Sequence, residues 1–545
     1  MKIRATQAIL ECLLEQEVDT VFGYPGGTIL NIYDELYRYQ GRIRHILTAH
    51  EQGAAHAADG YARYTGKVGV CFATSGPGTT NLTTGIATAH LDSSPVVFIT
   101  CNVGENLLGR DAFQEVDITG AVAPFSKHSY LVKDANDIPR VVKEAFHIAS
   151  TGRPGPVLID IPIDVQEQTL KKFQYPETVN IRGYKPSVKG NDLQIKRVVE
   201  AISRSKQPLI CAGGGVWLAD AKEELLELAE RCSIPVVKTM MGLGLLPTDH
   251  PLNMGMIGAH GNHCANKALA KADLLIMVGT RAADRAMVDP GEIQRRMATI
   301  HIDVDPAEIG KNMQAAIPLV GNVKVILRQI LDRDVAATDS AAWLEKLRDY
   351  RKAELNRVFP RRAGSVFPGT VLRRLGARLD DDAVICVDVG QNQIFACKYI
   401  PQKHGRLLTS GGLGTMGYAL PAAVGAKVAG PDRQTLVVCG DGSFQMAMNE
   451  LAAIRAADMD IKIVLFRNHT LGLVHQIQSS APYHGPFGVA LDGSPDFETI
   501  AAAYRVPCIQ VGDEDHLDEA LDRFLGTQGS CLLICEVHPD VGTND

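Results

Sequence analysis

The stretch 437–478, VVCGDGSFQMAMNELAAIRAADMDIKIVLFRNHTLGLVHQIQ, narrows the fold of this chain more than any other. An apolar run at 436–439 leads into Gly440-Asp441-Gly442-Ser443, and a helical segment follows with apolar residues at Met446, Leu451 and Ile454. A second apolar strand, 461–466, then delivers Asn468. This is a βαβ unit whose two polar outputs, Asp441 and Asn468, leave the C-terminal ends of strands, where doubly wound sheets hold ligands. Gly440 and Gly442 let a ligand approach the backbone without a Cβ in the way. The free amides opening the following helix, Ser443 among them, suit a phosphate. One carboxylate and one amide oxygen beside a diphosphate make a hard oxygen site for Mg²⁺. A lone GDG is more often an Asp-Gly turn between two ordinary core strands; the helix, the second strand and the Asn that follow reverse that balance.

A chain of 545 residues is too long for one core and predicts roughly three to four domains. The net charge of −7, with no basic run, argues against a nucleic-acid partner. The twelve cysteines form no CxxC pair and sit singly in apolar segments (Cys71, Cys211, Cys386, Cys439), which reads as reduced core thiols in a cytoplasmic protein. The N-terminal MKIRATQAILECLLEQ carries Glu11 and Glu15 in an amphipathic pattern and is not a signal peptide. No apolar run approaches the ~20 residues that span a bilayer, so no membrane partner is expected.

Strands and helices alternate along most of the chain, which predicts an α/β protein of doubly wound parallel-sheet domains. The first domain, 1–165, opens with VFGYPGG, a strand meeting a glycine turn at Gly27. Strands are expected near 46–49, 68–74, 96–100 and 157–161, with Glu51 opening a helix after His50. A polar, proline-containing linker, 166–190, separates it from a second βα series at 190–335. There Gly213-Gly214-Gly215 joins strand to helix without the GxGxxG spacing, and Asp303 ends a strand where an acid can meet a ribose. Charged, helical residues 336–365 connect to the third domain, 366–545, where a strand at 384–389 runs into Gly390-Gln391.

The segments HEQGAAHAADGYAR, TSGPGTTNLTTGIATAHLDSSPV, SGGLGTMGYALPAAVGA and the GDG…N unit together resemble the catalytic large subunits of acetolactate (acetohydroxyacid) synthases, which are thiamine-diphosphate enzymes. The likeness covers nearly the whole chain. It implies a pyrimidine-binding first domain, a central domain and a diphosphate-binding third domain. It implies that Asp441, Asn468 and the carbonyl of Thr470 ligate Mg²⁺, and that Gly414 and Met416 hold the aminopyrimidine and bend the cofactor. Leu473, which opens the LVHQIQ stretch where the family has MVxQWQ, would be a further cofactor contact. Glu51 would contact the pyrimidine ring and promote loss of the C2 proton, with Gln114 beside the reacting groups. Phe113, Lys127, Arg285 and Ile477 would line the substrate channel. MGLGLLPTDHPLNMGMIGAHGN, which contains Gly261, and GTRAADR, which contains Arg281, resemble segments that bind a structural FAD, although Ala282 and Ala283 replace a Phe and an Asp. Three further departures are Arg467 for the first Asn of an Asn-Asn pair, Asn392 for a His, and Ile477 for a Trp. The implied reaction decarboxylates pyruvate and joins the two-carbon unit to a second 2-keto acid, giving 2-acetolactate for branched-chain amino acid biosynthesis. A homodimer or dimer of dimers is implied, with a small regulatory subunit as a further partner. Three alternatives are weighed: a lyase or carboligase with another donor or acceptor (glyoxylate, an aldehyde, an acyl-CoA), an oxidoreductase of the pyruvate oxidase kind, and a non-catalytic, cofactor-free regulatory relative, against which the intact Glu51, Asp441 and Asn468 argue strongly.

Overall fold

The computed structural model describes residues 2–335 and 337–543. Three six-stranded sheets, each wholly parallel, carry the three predicted βα series. The central strands Gly69–Ala73, Leu274–Val278 and Lys462–Arg467 are almost continuously buried, as strands covered by helices on both faces must be. Numbered along each domain, the strands of the first sheet lie in the order 2-1-3-4-6-5, and those of the third sheet lie in the same order. The middle sheet takes the order 3-2-1-4-5-6 known from dinucleotide-binding folds.

Each order reverses beside its first strand, and a glycine turn stands at every reversal. In the first sheet these are the turns after Thr20–Tyr24 and Gly69–Ala73, in the middle sheet those after Pro208–Ala212 and Leu274–Val278, and in the third those after Val384–Val387 and Thr435–Gly440.

The outer domains share a core. Helix Glu51–Thr65 of the first packs on helix Ala419–Ala429 of the third, and both are buried around most of their circumference. Helices this apolar on every side have no solvent face and must lie between layers. Small residues permit a close crossing: a Cβ on Gly60 would stand 2.2 Å from the Ala422 carbonyl oxygen, and one on Gly425 would stand 1.8 Å from that of Ala57. Ala54, Ala57 and Ala58 therefore lie in one apolar cluster with Tyr418, Ala422 and Val437.

Local expectations fail in three places. The segment after Asp441 is not one helix but three short pieces, Asp441–Gln445, Met448–Glu450 and Leu451–Ala456. That break turns Met446 outward, 59% exposed, while Leu451 and Ile454 stay in the core. The first sheet has an edge strand, His128–Leu131, that the pattern did not reveal, since edge strands are only partly buried. The linker is also not free of structure: Thr169–Leu170 pairs antiparallel with Ile3–Arg4, and Phe173, Tyr175 and Tyr184 pack on the first core. All twelve cysteines are free, eleven of them buried. Among the described residues no helix is long and apolar enough to cross a membrane.

Candidate active site

At the reversal point of the third sheet, one cavity gathers Gly390, Gln391, Met416, Gly440, Asp441, Gly442, Ser443, Asn468, Thr470, Leu473 and Val474. Asp441 is buried, and its carboxylate accepts three backbone amides: Gly442 at 2.9 Å, Asn468 at 3.1 Å and His469 at 2.7 Å. Burial raises its pKa, and the three amides offset only part of that rise. Asn468 Oδ1 accepts the Thr470 amide at 3.2 Å, which draws the Thr470 backbone toward the same point. A Cβ on Gly442 would lie 2.8 Å from Leu471 and 3.5 Å from the Met416 methyl, so the glycine leaves room where the wall is narrowest. The Ser443 hydroxyl closes the turn against Gly440, accepting its amide at 3.1 Å.

These residues fit a Mg²⁺-diphosphate pair. Among the described residues no cluster of three His, Cys, Asp or Glu could hold a metal. One carboxylate with amide and carbonyl oxygens is too weak a set to hold a hard divalent ion by itself and needs phosphate oxygens to complete it.

The first sheet builds a different group. Glu51 opens its helix, and its carboxylate accepts the Asn81 side-chain amide at 2.9 Å. A Cβ on Gly78 would lie 3.4 Å from that carboxylate, and one on Gly76 would meet Gln114 at 2.8 Å. The Ser75-Gly76-Pro77-Gly78 turn thus brings Gln114, at φ +59°, and Glu51 to its two sides. Gly27 follows the first strand in open space, and Phe113 is 87% exposed. Among the described residues, none of the first domain lines the Asp441 cavity.

Other residues singled out from the sequence are placed less uniformly. Lys127 donates to the carbonyls of Ile148 and Thr151 and to the Tyr184 hydroxyl, so its ammonium caps helix Ile138–Ser150. Burial lowers its pKa to about 8. Arg285 is exposed and makes no ion pair among the described residues. Ile477 is half-exposed, one turn beyond the cavity-lining Val474 on helix Gly472–Gln478. Gly414, at φ +77°, stands in open space on the exposed loop before Met416.

In the middle domain, Gly213 and Gly261 are explained by backbone packing, since their Cβ atoms would lie 2.4 and 2.5 Å from carbonyl oxygens. Gly214 faces Met241, and Arg281 donates to the Leu91 carbonyl at 2.9 Å, across to the first domain. Asp303 ends its strand with a carboxyl pushed up to about 6 by burial.

Sequence reasoning missed several partners. Asn81 lay inside a quoted motif, yet nothing local marks it as the partner of Glu51. Glu450 is buried, and its carboxylate accepts the Ala49 amide at 3.1 Å, two residues before Glu51. Gln391 donates to Gln476 at 3.0 Å and to the Val541 carbonyl at 2.9 Å, which ties the diphosphate turn to the C-terminal segment. The Asn392 side-chain amide donates to the Asp388 carbonyl at 2.6 Å. Arg467 pairs with Glu536 on the neighbouring strand, so it needs no ligand to satisfy it.

Comparison with known proteins gives the class. Family models match residues 3–121 (thiamine pyrophosphate enzyme, N-terminal TPP binding domain), 195–330 (thiamine pyrophosphate enzyme, central domain) and 388–535 (thiamine pyrophosphate enzyme, C-terminal TPP binding domain). The chain is 44% identical to a probable acetolactate synthase large subunit of Methanocaldococcus jannaschii, over 98% of this chain and 92% of that protein. It is 43% identical to the acetolactate synthase large subunit of Corynebacterium glutamicum, over 96% of this chain and 84% of that one. The corresponding subunit of Lactococcus lactis is 40% identical, over 95% and 89%. The chain belongs to the acetolactate synthase large-subunit family of thiamine pyrophosphate enzymes, and these relatives do not favour the alternative donors, acceptors or oxidase chemistry.

Proposed function

We propose that this chain is the catalytic subunit of an acetolactate synthase that decarboxylates pyruvate and joins the two-carbon unit to a second 2-keto acid. Bound thiamine diphosphate supplies a nucleophilic carbon and an electron sink for decarboxylation. The observation that carries the reading is the convergence of Asp441, Asn468 and the Thr470 backbone on one glycine-lined cavity, with Glu51 and Gln114 on a matching turn of a like-ordered sheet. Asp441, Asn468 and the Thr470 carbonyl would hold Mg²⁺, and the Gly440–Ser443 turn with Gly390 and Gln391 would hold the diphosphate. Met416 and Leu473 would bound the cofactor, while the Gly414 carbonyl and Glu51 would hold protons at its pyrimidine ring. Gln114 would orient the incoming carbonyl.

Among the described residues only those of the third domain line the Asp441 cavity, so the site would be incomplete without a first domain from elsewhere. A second copy of the chain would supply Glu51, which makes a homodimer the minimal unit. Exposed Tyr24, Leu47 and Phe113 near one half-site, and Met446, Val474 and Ile477 near the other, suit such a contact. Arg285 would pair with the acceptor carboxylate, and its freedom from ion pairs leaves it able to do so. Lys127 enters the channel only by giving up its helix-capping bonds. A structural FAD would sit at the reversal point of the middle sheet, near Gly213, Gly214, Arg281 and Asp303. The names of the relatives suggest a small regulatory subunit, and free, mostly buried thiols suit the cytoplasm.

Product analysis tests the reading. Pyruvate with thiamine diphosphate and Mg²⁺ should yield 2-acetolactate, and added 2-ketobutyrate should divert product to its adduct. Release of acetaldehyde or acetate alone, or redox turnover of a bound flavin, would overturn it.

A further inference from the structure

The loop that carries Gly414 and Met416 belongs to the third domain, but the first domain of the same chain holds one of its ends. Asp92, whose side chain is wholly buried at the end of helix Thr83–Leu91, accepts the amides of Gly411 at 3.1 Å and Gly412 at 2.6 Å. Arg63, in the last turn of the helix that Glu51 opens, donates to Asp92 at 2.9 Å, to Asp59 at 3.1 Å and to the Thr409 carbonyl at 2.8 Å. Thr88 meets Thr415 hydroxyl to hydroxyl at 2.8 Å. The other end of the loop is held from within its own domain, where Asp388 accepts the amides of Gly417 at 2.9 Å and Ala419 at 3.1 Å.

Met416 therefore stands between two carboxylate anchors on two domains. The residues between the anchors include three glycines, Gly411, Gly412 and Gly414, and residues 411–414 are exposed. Such a run has little shape of its own, because glycine backbones are the freest of all. One bond within the loop, the Thr415 amide donating to the Ser410 hydroxyl at 3.0 Å, closes it on itself, and the anchors place it between the domains. An aspartate that receives two adjacent amides fixes both the height and the direction of the chain leaving it, and Arg63 fixes the aspartate.

We propose that Asp92 is a positioning residue for the cofactor: through Gly411 and Gly412 it sets where Gly414 and Met416 stand. Arg63 serves as its support and Thr88 as a second tether. The proposal rests on the reading of Met416 as a cofactor contact. One helix then links two tasks, with Glu51 at its first residue and Arg63 near its last. Misplacement by about 1 Å at a reacting geometry costs on the order of 10²-fold in rate.

The test uses full-length Asp92→Asn and Thr88→Val proteins beside wild type. In Asp92→Asn, amide deuterium exchange of the 410–417 peptide, read by mass spectrometry without cofactor, should quicken while peptides from the Asp441 turn stay unchanged. With thiamine diphosphate and Mg²⁺ added, C2 deuterium exchange on the cofactor should slow on the order of 10²-fold in Asp92→Asn, with half-saturation by cofactor changed far less. Thr88→Val, which leaves the ion pair intact, should show the same pattern in weaker form. Unchanged 410–417 exchange together with wild-type C2 exchange in both variants would overturn the proposal. So would a defect that disappears at saturating cofactor. If Asp92→Asn does not fold, Thr88→Val decides alone by the same two readouts. A wild type lacking C2 exchange altogether would instead defeat the functional reading on which the proposal rests.

Discussion

The first and third domains wind their strands in the same order, yet they finish the strands beside the reversal point in different ways. The third domain ends one in Asp441, whose two oxygens are pinned by three backbone amides on two separate loops. The first domain ends its counterpart in a glycine-proline turn and places Glu51 beside it, held by the single amide of Asn81. A pinned carboxylate keeps its geometry and suits a metal. A carboxylate with one side-chain partner keeps a free lone pair and suits a proton in transit. The shared sheet order supplies the place, and a few turn residues supply the chemistry.

The largest effect should come from breaking the pinned half. Asp441→Ala removes the carboxylate of the proposed metal set and should abolish Mg²⁺-dependent binding of thiamine diphosphate; titration by fluorescence quenching measures it. Retained Mg²⁺-dependent affinity would show that the cavity is not the diphosphate site. The proton-handling half should respond otherwise. Glu51→Gln should bind cofactor normally while C2 exchange slows by about 10²–10⁴-fold, the usual contribution of a general acid–base group. If Glu51→Gln lost binding and Asp441→Ala kept it, the division of labour would be reversed.

The glycine crossing that joins the two domains gives the next prediction. Gly425→Ala puts a methyl group 1.8 Å from the Ala57 carbonyl oxygen, and relief requires one helix to move. A loss of about 1–3 kcal/mol or more is expected by denaturant titration, with a matched fall in cofactor affinity if the helices also align the half-sites. An unchanged midpoint would mean that the two helices can separate freely.

Glu450 sharpens the comparison through pH. Burial raises its carboxyl from 4.5 to about 7, with the Ala49 and His50 amides opposing the rise. Between those values the native protein holds this proton more often than the unfolded chain, so its contribution lowers stability as pH rises from about 4.5 to about 7. Glu450→Gln should flatten the stability profile in that window, by about 1.4 kcal/mol for each unit by which the titration is displaced. A profile as steep as wild type would assign the slope to other groups.

The smallest effect concerns the acceptor. Ile477→Trp should increase preference for 2-ketobutyrate over pyruvate, and about 1–3 kcal/mol is the range for one methylene in an apolar pocket. Competition at equal concentrations reads the ratio. An unchanged ratio would remove residue 477 from the acceptor pocket.

What the sequence disclosed followed from how local each signal is. That Asp441, Gly442 and Asn468 line one cavity was legible because a short apolar strand, a glycine turn and a second strand bring them to the same end of the sheet. The three parallel sheets were legible for the same reason, through repeated strand–helix alternation. Partners far apart in sequence were not. Nothing near Asp92 announces that it will receive Gly411 and Gly412, and nothing in the GDG segment shows that Glu450 will reach Ala49. The single helical segment expected after Asp441 is interrupted near Ala447, which leaves Met446 exposed although its neighbours Leu451 and Ile454 are buried. The bonds of Lys127 to the carbonyls of Ile148 and Thr151 and to the Tyr184 hydroxyl were likewise illegible, since no pattern at 127 encodes them.

The central claim is that each domain carries half of a site and that a single chain does not close it. Mixing Glu51→Gln with Asp441→Ala subunits, each inactive alone, tests this directly. In a mixed dimer, one site would pair two damaged halves and the other would pair intact Glu51 with intact Asp441. Acetolactate formation should therefore reappear on mixing and subunit exchange, approaching a quarter of the wild-type rate at equal proportions with random pairing. No recovery, with exchange of subunits verified by mass, would contradict the account and place both halves of the site within one chain.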